Sequence, residues 1–191
     1  MAETIALPPR LSPFAALFAE TENDPDPAVT LTARTLGQVQ IDCAPERARA
    51  IALPLPPVGR ALSQEGVRLL SLAPGRWMVV DTDAADLIER VRTACGDSGA
   101  AVVDQGHGRA TLRVSGPRAR DLLAKGTGID LHPRAFPEDS VASTALFHVA
   151  TTIERRRGSA TFDVHMPRGY ARSLAERLIA AGRQYGVAVA G

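Results

Sequence analysis

The constraint that most narrows the fold is punctuation. Ser115-Gly116-Pro117 closes one run of alternating residues, Gly126 closes a short helical run after it, and Pro133 and Pro137 bracket the loop that follows. Proline fits a first helical turn, where its missing N–H would be unpaired anyway, and Gly116 or Ser115 can cap the start. The helix predicted there carries Ala119, Leu122 and Leu123 on one side and Arg118, Arg120 and Asp121 on the other, with Gly126 expected in the left-handed stop. Each proline restricts the residue before it to extended backbone, so His132 and Phe136 are expected on a stiff loop.

Similar signals extend to both sides. A strand is predicted around Gln38 to Asp42, a short helix from Pro45, and a hairpin from Val67 to Val80 around Pro74-Gly75, a pair suited to a type II turn. Leu87, Ile88, Val91 and Cys95 recur at helical spacing. Ala101–Asp104 and Arg109–Val114 read as strands, the second with Ala110, Leu112 and Val114 inward and Arg109, Thr111 and Arg113 facing water. Beyond the loop, 141–153 and 160–166 should pair as a hairpin ending in Arg155-Arg156-Arg157, before a closing helix that buries Ala171, Leu174 and Leu178. Strand, helix, strand, strand, helix, strand is legible from Trp77 to about Val149, the order of a split-βαβ sandwich. The fold class expected is therefore α+β, ferredoxin-like, an antiparallel sheet with helices on one face.

Residues 1–35 read differently. Five prolines and the acidic cluster Glu20, Glu22, Asp24 and Asp26 leave little periodicity beyond Phe14 to Phe18, so the segment is read as a flexible or partner-docking arm. The remaining 36–191 form the domain, with a candidate internal boundary at the breaker run near 54–60.

Composition excludes more than it assigns. A net charge of +1 names no electrostatic partner, and of the 22 basic residues only Lys125 is a lysine, a bias that alone says nothing about phosphate. Two cysteines, Cys43 and Cys95, cannot build a disulfide framework, and no apolar run approaches a signal peptide or membrane span, so the location expected is cytoplasmic, with no membrane and no nucleic acid as partner.

Chemistry is sparse. None of His107, His132, His148 and His165 stands at metal-ligand spacing, and neither Gly106-x-Gly108 nor Gly126-x-Gly128 continues to the third glycine of a dinucleotide loop. Ser115 has no histidine nearby in sequence to serve as its base. Asp163 and His165 share a strand face, a two-residue fragment weighed against ordinary surface. His132 is expected to bond its own loop backbone.

The segments SGPRARDLLAKG (115–126) and TGIDLHPRAFP (127–137) resemble the gamma subunits of heterotetrameric sarcosine oxidases, with looser likeness in SLAPGRWMVVD, SVASTALFHVATTIERR and TFDVHMPRGYARSLAERLI, over roughly 36 to 189. The resemblance implies a fold like the amino-terminal, folate-binding domain of the aminomethyltransferase (T-protein) family. It also implies a non-catalytic chain that supports alpha, beta and delta subunits. In that enzyme sarcosine is oxidatively demethylated to glycine, the one-carbon unit passes to tetrahydrofolate and hydrogen peroxide is made. No cofactor, metal or catalytic residue is then expected on this chain: FAD, FMN, NAD and tetrahydrofolate belong to partner subunits and zinc to the delta chain. Asp130, His132, Arg134 and Phe136 are the expected subunit contacts, because a stiffened loop bearing a charge pair and an aromatic offers anchor chemistry. Two alternatives stand beside this reading: the equivalent subunit of an N-methylglutamate dehydrogenase-like complex, and a stand-alone folate-binding T-protein-like domain.

Overall fold

In the computed structural model, residues 11–64, 66–82, 85–158 and 160–191 are described. A helix α1 (Ala15–Glu20) leads into β1 (Val29–Arg34), β2 (Gly37–Asp42), β3 (Ala61–Gln64), β4 (Val67–Ala73) and β5 (Arg76–Asp81). There follow α2 (Leu87–Cys95), β6 (Ala101–Asp104), β7 (Arg109–Ser115), α3 (Ala119–Ala124), β8 (Val141–Leu146), β9 (Val149–Arg155), β10 (Thr161–Pro167), α4 (Ala171–Gly182) and β11 (Val187–Ala190).

These strands make two sheets. The larger runs β11-β1-β7-β10-β9-β8 and the smaller β3-β4-β5-β2-β6. All pairings are antiparallel except β11 with β1, where Val29 lies beside Val187. The split-βαβ unit expected from the sequence is present in the larger sheet, but it runs from Arg109 as β7-α3-β9-β10-α4-β11, not from Trp77. The window shifts because β5 and β6 both pair with β2 and so belong to the smaller sheet.

Apolar alternation decides which faces take helices. Leu31, Leu112, Val114, Phe162, Val164 and Met166 bury one face of the larger sheet under Leu122 and Leu123 of α3 and Leu174 and Leu178 of α4. Each such side chain, fully buried, is worth about 1.5–3 kcal/mol. On the smaller sheet Val39, Ile41, Trp77 and Val79 pack under Leu87, Val91 and Cys95 of α2. The two remaining faces turn to each other, so the layers run helix, sheet, sheet, helix. The sheets also meet edge to edge: Ala61 N–H donates to the Asp139 carbonyl and Val141 N–H to that of Gly59, both at 2.8 Å.

Three local readings change. Residues 11–34, grouped with the arm, join this core: Phe14 is 1% exposed and stacked on Phe18 at 5.6 Å, and β1 sits inside the larger sheet. Residues 141–153 are two strands, reversed at Phe147-His148 with φ of +47° and +68°, a turn without the glycine or asparagine that usually marks it. Helix α3 begins at Ala119 without a side-chain cap, and Gly126 is required by space instead of by a left-handed φ: a Cβ there would stand 2.6 Å from the Phe147 ring.

Candidate functional site

Directly paired residues in an antiparallel sheet share a face, and in the larger sheet the pairing aligns polar side chains in rows. One row holds Arg113, Asp163 and Glu154; the next holds Thr111, His165 and Thr152. The smaller sheet covers both. On β7, Thr111 therefore does not meet water as expected and Arg109 and Arg113 are half-buried; on β10 His165 is fully buried and Asp163 nearly so.

Burial of this much polarity requires partners, and the structure supplies them. Arg113 grips Asp163 in a two-pronged pair at 2.7 and 2.8 Å. Arg68, reaching down from β4, bonds Glu154 through Nε and donates Nη2 to Asp139 at 2.8 Å. Arg156 reaches Glu154 at 3.1 Å. Gln38 Nε2 donates to Thr111 Oγ1 at 3.1 Å, and that hydroxyl lies 2.9 Å from His165 Nδ1. The far ring nitrogen of His165 is 3.6 Å from Glu154 Oε2, within ion-pair range but longer than a hydrogen bond. Burial presses the Glu154 carboxyl upward, yet the neighbouring His165 ring and the Arg68 and Arg156 guanidiniums prevail and hold it at about 2.

Glu154, His165 and Thr111 are connected in the order acid, imidazole, hydroxyl that activates nucleophiles elsewhere. Here the hydroxyl is sealed between sheets and already engaged by Gln38, so no substrate carbon can approach it. The arrangement joins two sheets; it does not expose a reacting atom. Asp163 and His165, read as a surface fragment, are buried and bind separate partners. Arg155-Arg156-Arg157 grades from buried to exposed: Arg155 is buried and donates to the Phe136 carbonyl at 2.7 Å, whereas Arg157, open to solvent, pairs with Asp139 at 2.6 Å. Among the described residues no three histidine, cysteine or acidic side chains gather as a metal site.

The loop singled out in the sequence is held by its own backbone. Asp130 Oδ1 accepts the His132 N–H at 2.8 Å, and His132 Nδ1 accepts the Arg134 N–H at 3.3 Å. The His132 ring thus bonds its own loop, as expected. Asp130, His132 and Arg134 project outward, whereas Phe136 is buried in the larger core. The structure thus separates the four: three side chains are presented, and one pins the loop beneath them.

Residues 67–191, more than half of the chain, match the family model described as the GCVT N-terminal domain. The chain belongs to the GCVT N-terminal domain family. Among curated proteins it is similar to sarcosine oxidase subunit gamma of Corynebacterium sp. (strain P-1), 34% identical over 93 residues, which are 49% of this chain and 46% of the relative. The subunit gamma of an Arthrobacter species is 32% identical over 48% of this chain and 45% of the relative. These alignments span about half the length of the relatives they match. A chain of the heterotetrameric sarcosine oxidase from Corynebacterium sp. U-96 superposes with a TM-score of 0.81 at 26% identity, covering 92% of this chain and 96% of that one. Aminomethyltransferase T of the glycine cleavage system from Bartonella henselae shares the fold, with a TM-score of 0.66 at 22% identity over 86% of this chain and 48% of that one.

Within this GCVT N-terminal domain, the residues that sequence reasoning missed are the inter-sheet ones: Gln38, Arg68, Asp139 and Glu154. A signal was available. Strands β7, β9 and β10 carry Arg113, Glu154 and Asp163 at matching register, charges of both signs placed to neutralise one another, which a solvated face does not need.

Proposed function

We propose that this chain is the gamma subunit of a heterotetrameric sarcosine oxidase, a non-catalytic part of an oxidoreductase complex. The observation that carries the reading is the near end-to-end correspondence with one chain of that enzyme, 92% of this chain on 96% of that one. The chain's own geometry agrees, because its one acid-imidazole-hydroxyl chain among the described residues is sealed from substrate. On this reading its partners are alpha, beta and delta subunits in the cytoplasm. Sarcosine oxidation, the flavins, NAD, tetrahydrofolate and zinc reside on those partners, and the chain stabilises their assembly. Asp130, His132 and Arg134 meet a partner, with Phe136 fixing the loop from below.

Reconstitution tests this. Purified partner chains supplied with sarcosine and tetrahydrofolate should lose rate or heat resistance when this chain is omitted and regain both when it is added. Equal turnover and equal lifetime without it would defeat the proposal. Titration of the isolated chain with tetrahydrofolate separates it from a stand-alone folate-binding domain, for which low-micromolar binding is expected.

A further inference from the structure

The inter-sheet charges balance at one end of the sandwich and not at the other. Arg34 on β1 is paired with Thr111 on β7, so Arg109, two residues along β7, is its diagonal neighbour on the same face. Both guanidiniums carry a buried Nε with no hydrogen-bond partner; Arg34 borders, on its other side, a cavity of about 60 Å³ walled by Asp81, Glu154 and Asp163, whereas no acid lines either cavity that Arg109 borders among the described residues. Burial alone pushes the Arg109 guanidinium down from its ordinary value, with no acid opposing it. Both line a notch of about 30 Å³ together with Arg168, and none of the described residues of its wall is acidic. On its other side Arg109 opens onto a cleft of about 310 Å³ that includes Gln40, Ser143 and Thr152.

We propose that the notch between Arg34 and Arg109 binds a carboxylate. Two like charges placed diagonally in a half-dry sheet face repel, and each buried donor left unpaired is costly. A planar carboxylate satisfies both forks at once. The notch, about 30 Å³, is small for a tetrahedral phosphate. Its source is a small free acid or an acidic side chain of a partner protein; the chemistry of recognition is the same.

The test uses the full chain, with thermal shift and isothermal titration against acetate and succinate, and with sodium chloride and inorganic phosphate at matched ionic strength. Succinate should raise the melting temperature more than chloride does. Arg109→Gln and Arg34→Gln should each weaken succinate at least tenfold while leaving the ligand-free melting temperature equal or higher, since an uncompensated charge is removed. If neither carboxylate binds the free chain, the same two variants are tested for complex recovery with the partner chains, where a several-fold loss assigns the carboxylate to a partner. Phosphate binding tighter than succinate overturns the proposal. So does succinate affinity within twofold of the parent in both variants, or, where no carboxylate binds, unchanged complex recovery.

Discussion

Replacing Glu154 with glutamine keeps the shape of the side chain and removes its charge from beneath Arg68, Arg156 and His165. The carboxyl is held at about 2 against an ordinary value of 4.5, and linkage converts that difference into about 3 kcal/mol of stability at neutral pH. Breaking a buried pair by removing one partner costs about 3–5 kcal/mol, an independent figure that agrees. Because the folded value is depressed, this stability is fully present above the unfolded value of 4.5 and is lost as pH falls toward about 2. Urea unfolding should therefore show Glu154→Gln less stable by about 3 kcal/mol at pH 7, with the gap narrowing to about 2 kcal/mol at pH 3.5, where the unfolded chain's carboxyl is protonated while the folded one is still ionised. A gap under about 1 kcal/mol at pH 7, or one that stays constant across that range, would refute the claim that an ionised Glu154 ties the sheets together.

Phe136→Ala should cost about 3–5 kcal/mol in denaturant midpoint, since the ring is buried in the larger core; a change below about 1 kcal/mol would place the ring elsewhere. Arg134→Ala, which removes neither of the loop's own side-chain hydrogen bonds, should leave stability within about 0.5 kcal/mol of the parent but reduce recovery of the complex several-fold, the combination that distinguishes contact from folding. Gly126→Ala should destabilise by about 1–3 kcal/mol, because its Cβ would stand 2.6 Å from the Phe147 ring and 2.9 Å from Leu146; a neutral result would show that the turn yields freely.

Where a segment needed only its own neighbours, the sequence was enough. Leu87, Val91 and Cys95 are the buried stripe of α2 at the spacing read from the chain, and β4 and β5 reverse at Pro74-Gly75 as expected, Gly75 holding a φ of +73°. What failed depends on partners distant in sequence. Thr111, Asp163 and His165 look like a wet face because alternation reports polarity, and polarity buried against polarity gives the same pattern as polarity in water. The proline-bracketed loop was legible as stiff, but Phe136 could be read equally as a partner contact or as a plug of the core, since a proline fixes backbone and leaves the side chain's direction to packing; the structure has it in the core. The Phe147-His148 reversal hid because neither residue advertises a positive φ.

Strand β1 is flanked by β7 and by β11, whose register places Val29 beside Val187. A ribosome delivering this polypeptide must release the whole stretch from Val29 to Val187 before that pairing can form, and until then β1 has an open edge. Contacts of such long sequence separation form slowly and leave unfinished edges open to foreign strands. Maturation is thus tied to a strand made long after its neighbour: a nascent chain stalled before Val187 would be a substrate for chaperones, not for partners.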